Sequence, residues 1–242
     1  MNAFNTLTVI RMVSYLCEKL EEAGLTLRLL GPGPELDMIY NGARPDRVAP
    51  QKIFQQDAKA VSAELLDAFW LVGLDRYGPA VLQACRGMDL GDRSLADHLT
   101  TDGGLYVPGN QWENNPIPEV RAAAAWRLHG IGCYFGETWF RPEGDDVPGF
   151  RGKGISDLIL RLAMGTAFCR HEARFMFGFC EEALAVRGIP IQYGHYQCYP
   201  HGATWTRPDG SQDDVWLTFT AAPDFGDLFG GFARDRYIPQ HT

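Results

Sequence analysis

The stretch Phe150-Arg151-Gly152-Lys153-Gly154-Ile155-Ser156 sets two cations and two glycines just ahead of apolar residues at helical spacing, Leu158, Ile159, Leu162 and Ala163. That arrangement suits an anion. The first turn of a helix offers unpaired N–H groups and the positive end of the helix dipole. Glycine lets the backbone approach a ligand oxygen without a Cβ in the way, and Arg151 and Lys153 add charge. Phosphate is the expected anion, yet the two common nucleotide motifs fail. The segment has no G-x-x-x-x-G-K-[ST], and Arg-Gly-Lys-Gly-Ile-Ser does not read G-x-G-x-x-G.

Other residues invite chemistry less strongly. His195, Cys198 and His201 are spaced three apart, but on a strand such steps alternate faces and converge only across a turn. No second cluster supplies a fourth ligand. Packing or pocket lining is the plainer reading, and no metal is expected. Cys169-Arg170-His171 could suggest a thiolate, although a cysteine at the buried end of a helix is usually inert. Trp112 stands in the polar run Gly-Asn-Gln-Trp-Glu-Asn-Asn, where it either packs back on the domain or covers a site as a lid. Trp126 and Trp139 are expected in the core.

The elements that must position these residues alternate in period. Leu7, Ile10, Val13, Leu16 and Leu20 predict a helix stopped at Gly24, followed by a short strand over 25–30 and a loop at Gly31-Pro32-Gly33-Pro34. A second helix is expected from Gln51 to Leu66. Two antiparallel strands follow around the turn at 75–79, then a brief helix capped by Ser94. Residues 119–128 are helix-prone, and 131–142 reads as an aromatic-rich strand. A helix over 154–169, a buried strand over 173–180, a short helix closed by Gly188 and a hairpin turning at 208–210 complete the pattern. The class is mixed α/β.

Composition narrows the partners. The 242 residues carry a formal charge of −8, which argues against broad neutralisation of nucleic-acid phosphates and favours cationic partners. Six separated cysteines with no C-x-x-C pair read as free thiols of a reducing compartment. With no secretory pattern and no long apolar run, a cytoplasmic protein without a membrane span is expected.

The segment Arg151–Ser156 resembles the acyl-CoA signature of the GCN5-related N-acetyltransferases, [QR]-x-x-G-x-[GA], with Ser156 in the last place. The preceding Trp139, Pro142 and Phe150-Arg151-Gly152 follow that family's order as well. The resemblance implies a central twisted, mostly antiparallel sheet with splayed central strands, flanked by helices. Residues 51–222 would form the acyltransferase domain, with 91–122 inserted as a loop and helix; 1–50 would be an N-terminal elaboration and 223–242 a tail. It further implies acetyl-CoA as co-substrate and an amine as acceptor. The amides of Arg151, Gly152, Lys153, Gly154, Ile155 and Ser156 would grip the pyrophosphate, and backbone near Trp139, Phe140 and Arg141 would pair with the pantetheine arm.

A lysine-like amine with pKa ~10.4 is neutral about once in 2,500 at pH 7, so a base helps. The resemblance puts that base, or a water-positioning carboxylate, at Glu137; an ion pair is the plainer reading of the residue. Regular alternation would group Glu137, Trp139 and Arg141 on one face. Three departures are visible. Seven residues, Glu143 to Gly149, part Pro142 from Phe150; Ser156 replaces a smaller residue; and Leu184 stands where the family keeps a tyrosine. Tyr196, or Tyr193 beside it, would then be the acid. Other acyl donors, as in acyl-homoserine-lactone synthases or aminoacyl transferases, and a non-catalytic coenzyme-binding protein are the alternatives. Pairing into a homodimer through sheet edges is compatible with this fold.

Overall fold

The computed structural model describes residues 6–60, 62–106, 117–144, 146–150, 154–207 and 209–234. Seven strands form one sheet in the order β1-β2-β3-β4-β5-β7-β6. They are β1 (Thr26–Leu30), β2 (Leu65–Asp75), β3 (Gly78–Ser94), β4 (His129–Phe140), β5 (Phe175–Glu181), β6 (Gln197–Thr206) and β7 (Gln212–Ala221). Every neighbouring pair is antiparallel except β4 with β5. This is the mixed α/β class, mostly antiparallel sheet and flanking helices expected from the sequence.

Helices cover both faces. On one lie α1 (Thr6–Glu22), α4 (Ser156–His171) and α7 (Phe225–Arg234), whose Val9, Met12, Leu16, Ile159, Ala163, Phe225 and Phe229 share a core with Phe69, Cys85 and Phe135 of the sheet. Helix α4 is buried on several sides because α1 crosses it closely. A Cβ on Gly165 would stand 2.6 Å from Met12 Cε and 2.8 Å from Val13 Cγ2. The other face carries α2 (Pro34–Ala43), α3 (Leu95–Asp102) and several 3-10 turns over a core of Tyr40, Phe54, Trp70, Tyr134 and Phe177. Two short helices, α5 (Glu182–Ala185) and α6 (Ile189–Gln192), lead from β5 into β6.

Several expectations need correction. The helix at 51–66 is instead two 3-10 turns, Lys52–Phe54 and Gln56–Ala60, followed by β2. Buried Arg86 accounts for this: its guanidinium donates to the carbonyls of Ile53 (2.7 Å) and Gln55 (2.6 Å), which a helix would have used internally, and to that of Leu66 in β2 (2.7 Å). Residues 119–128 form no α-helix but a β-bridge from Glu119 to Thr204 and the 3-10 turn Ala125–Arg127, and Trp126 is half exposed, not in the core. A boundary at residue 50 would cut through one sheet, since β1 pairs with β2. The supposed tail at 223–242 includes α7, whose Phe225, Leu228 and Phe229 are fully buried. The helix at Ser94 does form as expected. Ser94 Oγ accepts from the Asp97 amide while the Asp97 carboxylate accepts from Ser94 N, a reciprocal cap. No helix among the described residues is long and apolar enough to cross a membrane.

Candidate functional site

Strand β4 pairs with β3 along most of its length, from His129 to Phe140, but with β5 only from Gly132↔Phe175 to Phe135↔Gly178. Beyond that point β5 stays with β7 and leaves β4. Two strand edges that would ordinarily satisfy each other thus face an open fork.

The parting begins at a bulge. Leu82 opposes Trp139 while Ala84 opposes Gly136, so β4 carries one extra residue there, and Glu137 sits at φ 52°. A left-handed glutamate costs roughly 1–3 kcal/mol and persists only where its surroundings insist. Here they do. The Glu137 side chain is 1% exposed, and its carboxylate accepts from Tyr40 Oη (3.1 Å), the Gln51 amide (2.9 Å) and Arg47 Nη1, which lies 3.3 Å from both oxygens. From β3, Gln83 Nε2 donates to the Gly136 carbonyl (3.2 Å) and its Oε1 accepts from Thr138 Oγ1 (2.5 Å).

The bulge also revises the facing read from the sequence. Cys133, Phe135 and Phe140 point to the α1–α4 face, whereas Tyr134 and Trp139 pack on the opposite one, with Glu137 turned toward Tyr40 of α2. Arg141 does not join Glu137 and Trp139. Its guanidinium forms a two-pronged pair with Asp75 (2.9 and 2.5 Å), its Nε donates to the Pro148 carbonyl, and it stacks on Phe150. The Arg141 amide and carbonyl are already bonded to Ala80 and Phe150, so they are not available to pair with a pantetheine arm. The guanidinium holds the Asp75 carboxyl below its ordinary range.

A cavity of about 730 Å³ opens from the fork, a volume ordinary for a small-molecule site. Phe135 to Thr138 of β4 and Gly178 to Glu181 of β5 form its cleft; Leu160 of α4, Leu184, Tyr193 and His195 close one side; Tyr106, Tyr134 and Trp205 close another. Trp139, Phe140 and Arg141 fall just past this lining. Around the cavity stand five carboxylates, Asp46, Glu137, Glu181, Asp213 and Asp214, against the guanidinium groups of Arg44, Arg47 and Arg207.

Of the expected phosphate turn, Arg151, Gly152 and Lys153 lie outside the described residues, as do Trp112 and Pro208. Gly154 has φ 71°, Ile155 is buried in the α4 core, and Ser156 begins α4, which has no side-chain cap. Tyr196 is 38% exposed and lies outside the cavity lining, which includes Tyr193 instead. His195 lies in the cavity wall while His201 is exposed and pairs with Asp214, so the two do not meet. Among the described residues no three His, Cys, Asp or Glu side chains are grouped to hold a metal ion.

Sequence reasoning missed Tyr106. It is fixed by buried His98, whose Nδ1 donates to Glu64 (2.7 Å) and whose Nε2 meets Tyr106 Oη (2.7 Å). Both residues belong to the stretch read as an insertion, and no local pattern ties them to the fork.

No family model matches the chain, and no curated protein does. Among solved structures it is similar to the aminoglycoside acetyltransferase AAC(6')-Ib in complex with coenzyme A and kanamycin, at 14% identity and TM-score 0.42 over 84% of this chain and 98% of that one. It is similar also to Arabidopsis thaliana NAA60 in complex with acetyl-CoA, at 11% identity and TM-score 0.42 over 82% and 99% of the two chains. Likeness at this level concerns the fold alone.

Proposed function

We propose that this chain belongs with the GCN5-related N-acetyltransferases and transfers an acyl group, in the first instance acetyl, from coenzyme A to a cationic amine. The parting of β4 from β5 at the Glu137 bulge carries this reading. It supplies a cleft whose two strand edges can take up an extended, amide-bearing arm, with a cavity beyond it for the reacting groups. Gly178 supports close approach of a ligand there, because its Cα face carries no side chain into the cleft.

In this reading the start of α4 and the residues before it meet the phosphates, with Arg151 and Lys153 as counter-charges and the amides up to Ser156 as donors. The pantetheine arm lies in the fork against residues 135–138 and 178–181. The excess of carboxylates around the cavity attracts an ammonium group, and the aromatic walls exclude water from the thioester. Glu137, already accepting from three residues, orients the amine or a bridging water. Its donors keep that negative charge in place instead of leaving it free to roam. Transfer is by direct attack of the amine on the thioester carbonyl within one ternary complex.

Thermal unfolding with acetyl-CoA, coenzyme A and ATP in parallel tests the reading. At 100 times its dissociation constant a ligand adds about 2.7 kcal/mol, a rise of roughly 5–10 °C at this size. A rise with both coenzymes and none with ATP is expected, together with release of free thiol from acetyl-CoA when spermidine or a lysine-bearing peptide is added. No rise with either coenzyme overturns the reading. A rise without thiol release from any amine turns it toward a coenzyme-binding protein.

A further inference from the structure

Two histidines near the cavity are built in opposite ways. His98 has both ring nitrogens bonded, one to Glu64 and one to Tyr106, and so is explained by the structure it holds. His195 is 5% exposed and makes no side-chain hydrogen bond among the described residues; its Nδ1 is enclosed without a partner. A buried polar nitrogen with no partner weakens the fold, so the ring is not there for stability. His171 also has an unpartnered Nε2, but it lies against Gly87 and Phe69, away from the cavity.

The backbone around His195 is clamped. Its own amide donates to the Pro190 carbonyl (2.9 Å), the Tyr196 amide donates to Thr220 Oγ1 (3.0 Å), and Thr220 Oγ1 donates to the Gly194 carbonyl (2.6 Å). This points the ring at the mouth of the fork. A Cβ on Gly178 would stand 3.6 Å from His195 Nε2 and 3.1 Å from the Phe135 carbonyl oxygen, the last β4 residue paired with β5. The missing side chain at 178 leaves Nε2 facing the point where the strands part. No hydrogen bond among the described residues fixes the ring's tautomer, so its one proton can sit on either nitrogen.

We propose that His195 is the proton-transfer residue of this site, carrying one proton from the attacking amine to the departing thiolate; the proposal rests on the acyl-transfer reading above. As the nitrogen–carbon bond forms, the amine nitrogen gives its proton to Nε2. As the carbon–sulfur bond breaks, Nε2 gives that proton to sulfur. The ring ends as it began, and the products are the amide and the free thiol of coenzyme A. An enclosed imidazole suits this passing role, since its surroundings favour the neutral ring before and after and do not trap the cation.

The test uses the full chain with acetyl-CoA and the amine found to release thiol. His195→Gln is expected to lower kcat about 100-fold while leaving KM and the dissociation constant for acetyl-CoA within about twofold. In His195→Ala, added imidazole is expected to restore at least about a tenth of the lost rate, which a merely structural ring would not allow. On the native protein, diethylpyrocarbonate modification mapped to His195 should track loss of turnover and be blocked by acetyl-CoA, a measurement that stands even if a variant does not fold. A kcat within about threefold of native in His195→Gln, or a loss confined to coenzyme affinity, overturns the proposal. It leaves acyl transfer intact wherever the native chain still turns over. A native chain that neither binds coenzyme nor releases thiol overturns both.

Discussion

The two arms of the fork treat their titratable groups differently. On the β4 arm Glu137 is a buried carboxylate bonded by Tyr40, Arg47 and the Gln51 amide. On the β5 side the His195 ring is enclosed, and its Nδ1 has no partner among the described residues. A charge cannot be kept in such a place without donors, whereas a neutral ring can. The difference separates fixing a field from moving a proton. The carboxylate held by three residues is fixed in place, and the ring without a partner among the described residues is free to change state.

The comparison breaks most easily at Glu137. Glu137→Ala strands Arg47 and Tyr40 and should cost about 3 kcal/mol by urea unfolding, toward the low end for a broken buried pair because Arg47 is partly exposed. A loss under 1 kcal/mol would mean the bulge does not depend on its carboxylate.

Next comes pH. Burial pushes the His195 ring down to about 4 from its ordinary 6.5. Between those values the unfolded chain holds a proton that the folded one does not, so stability rises with pH across the window. The contribution is complete above about pH 6.5, falls as pH drops to about 4, and changes no further below. Its full size is roughly 3 kcal/mol, and His195→Gln should flatten that slope. An unchanged slope in the variant would show that the ring is not held neutral. Two smaller tests follow. Tyr40→Phe removes one bond to Glu137 and should cost about 1 kcal/mol. Tyr196→Phe, outside the cavity, should leave kcat within about twofold; a large loss there would return the acid role to Tyr196 and away from His195.

Much of the architecture was legible in the chain because its signals are local. The spacing of Leu16 and Leu20, the Ser94 cap and the β-rich run at 175–180 each report on their own neighbourhood. What escaped depends on distant partners. Gln51 to Leu66 has helical spacing, but Arg86, a strand away, takes the carbonyls of Ile53, Gln55 and Leu66. Phe225, Leu228 and Phe229 looked like a tail because nothing nearby says that α1 and α4 leave a gap for them. At the site, Glu137 was visible as a residue type in a β-strand, while its left-handed backbone and three-residue anchorage were not. Tyr196 and Arg141 were chosen by order along the chain, and order says nothing about which side chain reaches a cavity.

The extra residue in β4 has a genetic consequence. Counting across Glu137, Cys133, Phe135 and Phe140 share one face only because one residue is left out of the alternation. Removing codon 137 alone would therefore restore an unbroken strand with Trp139 and Phe140 still facing their present cores. Removing one codon between 131 and 135 would turn part of the strand inside out. An in-frame deletion scan should find one codon removed from 136–138 better tolerated for expression than one removed from 131–135, with turnover lost when Glu137 goes. A fold and its working site would then differ, at this point, by a single triplet.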